Sequence, residues 1–224
     1  VASSVPESRV YALAETRGGA VALSSADEIV ERASEVQSFA VGPGLAGGEA
    51  VARLMRKVLP RVRGACVVVD ADALSCLSSE ADLLHALGGG AIITPHATEM
   101  AGICGLDEDE VKREPLRTAR RVARDLRAVV ALKGRETFVV TPGGDAYVNR
   151  AGNVGLATSG SGDVLGGLIA GLAARGATPL VAALWGVHVH ALAGERLADS
   201  IGPLGYLARE LLDEIPSLLG QLSE

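Results

Sequence analysis

With 224 residues, 48% of them hydrophobic, the chain is long enough to bury one sizeable core and short enough to form one domain. Its 27 acidic residues outnumber 21 basic ones, giving a net charge of -6, and it holds only two Phe, three Tyr and one Trp. Both the basic field and the stacking platforms of a nucleic-acid-binding protein are therefore missing.

In chain order, apolar runs of strand length fall near Val10–Leu13, Ser38–Val41, Ala65–Asp70, Ala91–Thr94, Ala128–Leu132 and Thr137–Thr141. Stretches of helical period fall near Asp27–Glu35, Gly48–Val58, Ala81–Leu87, Asp107–Arg124, Asp163–Ala174, Leu180–Leu197 and Leu204–Gly220. This alternation is that of βα units around a mainly parallel sheet, so the expected class is α/β. Pro142, Gly143, Gly144 and Asp145 mark the turn of a hairpin over Thr137–Val148, the one clear antiparallel signal. No strand is expected beyond about Val148. No repeat, low-complexity block or linker divides the chain, and residues 1–224 read as a single domain.

Cys66, Cys76 and Cys104 contain no CxxC pair, which argues against a disulfide framework or a zinc site and for a reducing, cytoplasmic setting. No apolar run reaches membrane-spanning length, and the opening VASSVPES lacks the basic and apolar regions of an export signal.

The segment Asn153-Val-Gly-Leu-Ala-Thr-Ser-Gly-Ser-Gly-Asp163-Val-Leu-Gly-Gly is a glycine-rich loop running into an apolar helix. Gly160 and Gly162 let backbone N–H groups turn outward, and the helix expected to start at Asp163 adds its positive end, so the junction is an anion site. A carboxylate at that point is either a helix cap or a general base. The density of glycines, which a cap alone does not need, favours the base.

Lys133 and Thr137 project from a tight connection between two strands, read as lying at a sheet edge, where a nucleotide could sit. Ile93-Thr-Pro-His96-Ala-Thr-Glu99-Met ends a buried strand and opens a helix, placing His96 and Glu99 at a carboxyl strand end where α/β proteins bind ligands. The bland alternative is a helix capped by Thr94 or Thr98, with Glu99 complementing its dipole. His188 and His190, two residues apart on a helix, face different sides and do not form a metal pair.

A competing motif is Val41-Gly42-Pro-Gly44-Leu-Ala-Gly47, which matches GxGxxG and is followed by a strand ending in Asp70, the pattern of a Rossmann-type NAD-dependent oxidoreductase. Pro43 removes an N–H that a pyrophosphate would use, and the reading leaves the Gly155–Asp163 loop without a task.

Taken in order, Gly42-Pro-Gly44-Leu, Asp70-Ala-Asp72-Ala-Leu, Thr94-Pro-His96-x-x-Glu99-Met, Leu132-Lys-Gly-x-x-Thr137, Asn149-x-x-Gly-Asn153 and Leu156-Ala-Thr-x-Gly-Ser-Gly-Asp163-Val-Leu-x-Gly resemble the signatures of the ADP/ATP-dependent NAD(P)H-hydrate dehydratases, relatives of ribokinase. Gly186-Val-x-x-His190 extends the match. Ser159 stands where that family usually has Gly.

The resemblance implies a ribokinase-like fold and the repair of hydrated NADH or NADPH by phosphorylation of the hydrate hydroxyl, with ADP or ATP as donor and Mg²⁺ sharing the phosphate charge. It implies that Lys133, Gly134, Arg135, Glu136, Thr137, Gly160, Ser161 and Gly162 contact the adenine nucleotide, that Gly44, His96 and Asp163 meet the hydrate, and that Asp163 is the catalytic base. A homo-oligomer, in particular a tetramer, and a functional link to an NAD(P)H-hydrate epimerase follow from the same likeness. Family members normally begin with a further βα segment that helps hold the substrate; no counterpart is found in this sequence, so the domain is expected to be incomplete at that side. An ordinary vitamin-precursor or sugar kinase and a non-catalytic nucleotide-binding subunit remain the other readings.

Overall fold

The computed structural model describes residues 5–46, 48–78, 80 and 82–222. Six strands form one sheet in the order of the sequence: β1 (Ser38–Val41), β2 (Cys66–Val69), β3 (Ala91–Ile93), β4 (Val129–Leu132), β5 (Thr137–Val140) and β6 (Ala146–Asn149). The first four are parallel; β5 and β6 are antiparallel to their neighbours. The hairpin expected at the Pro142–Asp145 turn is β5–β6. A second, unexpected antiparallel step joins β4 to β5.

The central strands β2, β3 and β4 are buried on both faces, and the side chains of the sheet divide by the period of two. Val67, Val69, Ile93, Val130 and Val140 face one layer, while Val68, Ile92, Val129 and Val139 face the other. The first layer holds α1 (Ala26–Ala33), α2 (Glu49–Val58), α3 (Ala97–Cys104), α4 (Glu108–Arg113) and α5 (Pro115–Leu126). Opposite lie α6 (Ser161–Ala174) and α7 (Pro179–Ser200), with α8 (Leu211–Gln221) packed outside them. Because β1 to β4 follow one another across the sheet, crossovers of one hand put their helices on one face. α5 illustrates the local code: Thr118, Ala119, Val122, Ala123 and Leu126 form its buried stripe, and its arginines face outward.

Several boundaries differ from the sequence reading. Val10–Leu13 pairs with no strand; Tyr11 instead lies under the Arg32 guanidinium, 3.4 Å from the ring centroid, and the nearest bridge is Glu15 with Val21. Of the helix expected over Ala81–Leu87, Ala81 lies outside the described residues and the rest is turn plus a short 3₁₀ stretch, His85–Leu87, stopped by left-handed Gly88. Asp107–Arg124 is two helices, because Glu114, preceding Pro115, adopts φ -130° and ψ 53° and the helical region is disfavoured before proline. The last helix begins at Leu211 rather than Leu204.

Candidate functional site

The carboxyl ends of the strands open into a cleft of about 1040 Å³ bounded by the β4–β5 turn, the loop after β6, the start of α6 and the middle of α7. The start of α6 forms one wall. Its N-cap is Gly160, at φ 87°, and no side chain caps it; the Ser161 N–H turns back to Thr158 O at 3.2 Å, which leaves the Gly162 and Asp163 N–H groups of an apolar 14-residue helix for a ligand or water. α6 therefore begins two residues before the expected position. Asp163 sits in its first turn, exposed to the cleft, with no hydrogen bond or ion pair to the described residues. It is not the cap.

Ser161 is buried, and its Oγ and carbonyl both lie 3.0 Å from Nε2 of His190 on α7. Burial, with a smaller contribution from the Lys133 charge, pushes the His190 imidazole down to about 4, against the opposing hydrogen bond to Ser161. The ring is neutral at physiological pH, and it fixes the first residue of α6. His188 faces another way, toward Asn149 Oδ1 at 3.1 Å, as the spacing predicted.

Across from Gly162 stands Lys133. A Cβ at Gly162 would lie 3.4 Å from Lys133 Nζ and 3.8 Å from Asp70 Oδ2. Lys133 Nζ binds Asp70 Oδ1 at 3.1 Å, and Glu99 Oε2 lies 3.9 Å away. Asp70, at the end of β2, is 2% exposed, so its charge is buried and held by this lysine. That pairing leaves Asp70 unavailable as the ribose acceptor of a dinucleotide fold. The glycine motif also serves another end: Gly42 has φ 127°, and a Cβ there would stand 1.7 Å from the Asp70 carbonyl oxygen. It is the crossing of two strand ends that requires this glycine. Gly47 lies outside the described residues.

His96 and Glu99 meet at the start of α3. His96 is itself the N-cap, its Nδ1 accepting from the Glu99 N–H at 3.3 Å while Glu99 Oε2 accepts from the His96 N–H at 2.7 Å. Thr94 and Thr98, the caps of the alternative reading, are not used; Thr98 binds Glu108 instead. Lys133 is tied to the same corner, its backbone N–H donating to Pro95 O at 2.8 Å. Strands β4 and β5 are interior to the sheet, so the Lys133–Thr137 connection lies at the sheet's carboxyl end and not at an edge.

Gly134, Arg135 and Thr137 line the cleft with Lys133, His96, Ser161, Gly162 and Asp163. Gly44 does not; it is exposed on the turn after β1. Glu136 lies beside the cleft, paired with Arg150 at 2.8 Å. Sequence reasoning overlooked the roles of Asp70 as partner of Lys133 and His190 as partner of Ser161. It also missed the wall formed by residues 149–154. That wall is tied down at Gly152 N–H to Glu195 Oε1 (2.8 Å) and at Asn153 Oδ1, which accepts from both Tyr206 OH (2.8 Å) and Gly155 N–H (2.9 Å). The signal available was the Asn149-x-x-Gly-Asn153 motif, whose asparagines bracket it.

The fold, a mainly parallel sheet whose carboxyl end meets an uncapped glycine-initiated helix faced by a lysine, is a ribokinase-like one. A ribokinase-like superfamily protein of Enterococcus faecalis superposes on 98% of this chain and 72% of its own, with a TM-score of 0.79 at 21% identity, a likeness of fold. Within that class the chain belongs to the NAD(P)H-hydrate dehydratase family, whose profile matches residues 3–217.

An ADP-dependent (S)-NAD(P)H-hydrate dehydratase of Xanthomonas campestris pv. campestris is 42% identical over 223 residues, covering 99% of this chain and 74% of the relative. A bifunctional NAD(P)H-hydrate repair enzyme of Moorella thermoacetica is 40% identical over 224 residues, 100% of this chain but 42% of that protein. The ADP/ATP-dependent NAD(P)H-hydrate dehydratase of Bacillus subtilis, co-crystallised with ATP and Mg²⁺, matches 98% of this chain and 74% of its own with a TM-score of 0.76 at 27% identity. The chain thus spans less than half of the bifunctional relative.

Proposed function

We propose that the chain dehydrates NAD(P)H hydrate in a reaction driven by ADP or ATP, restoring the reduced nicotinamide cofactor. The observation that carries this reading is the start of α6: open backbone donors at Gly162 and Asp163, Lys133 beside them, and an unpartnered side-chain carboxylate, that of Asp163, in the same turn.

Water added across a ring double bond leaves a hydroxyl that is a poor leaving group. In the proposed sequence Asp163 takes the hydroxyl proton and the freed oxygen attacks the terminal phosphoryl group, forming a new O–P bond as the nucleotide's bridging P–O bond breaks. The α6 donors and Lys133 stabilise the phosphoryl oxygens as charge shifts. The carbon–oxygen bond then breaks, phosphate departs with the oxygen, and the neighbouring carbon loses its proton to restore the double bond.

Among the described residues no three His, Cys, Asp or Glu gather at a metal position. Mg²⁺ fits this site as an ion carried on the nucleotide, since it binds through substrate phosphates, water and one or two carboxylates. Glu99 and Asp163 are carboxylates that line the cleft. The ion would neutralise phosphoryl charge.

In this reading His96 and Gly44 belong to the hydrate side, and residues 133–137 with 160–162 belong to the nucleotide side. The bifunctional relative supports a working link to a second repair activity, an epimerase, and we extend the proposal to a homo-oligomer, in particular a tetramer. Three free cysteines suit a reducing cytoplasm, and no described helix is long and apolar enough to cross a membrane.

The test is to incubate the protein with hydrated NADH and ADP, then ATP, following the recovered NADH absorbance and released phosphate together. One-for-one recovery is expected. A stable phosphorylated product without NADH recovery would mean an ordinary kinase, and recovery independent of nucleotide would end the proposal.

A further inference from the structure

Arg150 is a charged residue of the cleft that neither the motifs nor the proposed chemistry uses. It follows β6 directly, lines the cleft, and extends to Glu136 in the turn that carries Lys133, Nε to Oε1 at 2.8 Å. The pair joins the β4–β5 turn to the loop after β6. Its two side chains are 73% and 41% exposed.

The backbone beneath Arg150 is fixed. Asn149 Oδ1 lies 3.1 Å from the His188 ring nitrogen, Asn149 Nδ2 donates to Ala151 O, Gly152 N–H donates to Glu195, and Asn153 receives Tyr206. Arg150 is thus an exposed cation on a hydrogen-bonded base. An exposed ion pair of this kind contributes little, because water screens it and two long side chains lose freedom to make it. A phosphate oxygen offers the same guanidinium a stronger, charge-assisted and bidentate partner.

The other charges facing the cleft set the balance. Lys133 is occupied by Asp70, and Glu99 by His96. Arg135 and Arg150 are therefore cations without a buried carboxylate partner, and Arg150 alone of the two is held by an exposed carboxylate it can exchange.

We propose that Arg150 is a nucleotide-binding residue that leaves Glu136 for an anionic oxygen of the nucleoside di- or triphosphate, so that Glu136 and the nucleotide are competing partners of one guanidinium. The proposal rests on the nucleotide reading of this cleft. It also changes the role expected for Glu136: the carboxylate competes with the nucleotide for Arg150 and repels its phosphates, so it opposes binding rather than supporting it.

The two variants consequently move in opposite directions. Arg150→Gln should weaken ADP binding by about tenfold, the loss of one charge-assisted contact, and flatten its salt dependence. Glu136→Gln should tighten ADP binding a few-fold, since it frees the arginine and removes a like charge. Isothermal calorimetry with ADP on the parent and both variants, at two salt concentrations, reads each effect, with melting temperatures confirming that each protein is folded. An Arg150→Gln protein with ADP affinity within twofold of the parent, or a Glu136→Gln protein with weaker affinity, overturns the exchange while leaving the nucleotide site itself standing. A parent protein that binds no ADP overturns both.

Discussion

Replacing Asp163 by Asn separates the two roles a carboxylate can have at the start of α6. The cap position is occupied by Gly160, and Asp163 makes no hydrogen bond to the described residues, so the fold loses only a favourable charge at a helix N-terminus. For an exposed residue that loss is about 0.3–1 kcal/mol, which in a domain of this length lowers the melting temperature by at most about 4 °C. Losing a positioned base is larger: a hundredfold in turnover, about 2.7 kcal/mol of activation free energy, is the lower bound. The expected variant is folded and at least a hundredfold slower. It should bind ADP at least as well as the parent when Mg²⁺ is omitted, because a negative charge beside the phosphates has been removed. Melting temperature, calorimetric ADP affinity and the hydrate assay on one preparation check all three. Near-normal turnover in a folded Asp163→Asn protein would refute the reasoning, since no cap remains to explain the residue.

Lys133→Ala should cost stability as well as nucleotide affinity, because it strands the buried Asp70 carboxylate; a loss of about 1–3 kcal/mol is expected, visible in urea denaturation and largely regained in the Lys133→Ala, Asp70→Asn double variant. His96→Ala should raise the KM for hydrate more than that for ADP in steady-state kinetics, while removing the α3 cap at about 1 kcal/mol. Gly155→Ala would put a Cβ 2.5 Å from the buried Tyr206 ring, and a destabilisation of about 1–3 kcal/mol should appear in denaturant midpoints. Acidification should weaken the fold through His190: its folded value of about 4 lies below the ordinary 6.5, so the unfolded chain binds the extra proton and stability is lost as pH falls from about 6.5 toward 4. The linkage is on the order of 3 kcal/mol, and a His190→Gln protein should show a correspondingly flatter pH dependence of unfolding.

The elements legible in the sequence were those whose cause is local. The β5–β6 hairpin is announced by Pro142, Gly143, Gly144 and Asp145 between alternating runs, and α5 by its apolar stripe. The β4–β5 reversal is not announced, because its turn carries Lys133, Arg135 and Glu136, residues suited to a cleft, with only Gly134 of turn-forming type. His96 as a helix cap was hidden for a similar reason: imidazole can accept from an N–H, yet Ser, Thr, Asp and Asn are the residues that announce caps, and two threonines stood nearby. α6 was read as starting late because Ser161 and Gly162 look like loop by propensity, although Ser161 N–H closes the turn onto Thr158 O and Gly162 N–H is one of the donors the anion site needs.

What sequence pattern could not supply was the pairing of residues far apart in the chain, and here that pairing changes the meaning of a motif. Gly162 and Gly166, one helical turn apart, both face Asp70: an added Cβ would lie 3.8 Å and 3.5 Å from its Oδ2. α6 thus passes over the Asp70–Lys133 pair, 63 residues apart in sequence, on the side that these two glycines line. Both Cβ distances are ordinary van der Waals contact, so alanine fits at either position, and only a larger side chain at Gly166 would press on the Asp70 carboxylate. The glycines of the motif accordingly have two settings: Gly160, whose left-handed backbone opens the start of α6, and Gly162 with Gly166, which face the buried ion pair that holds Lys133 beside that start.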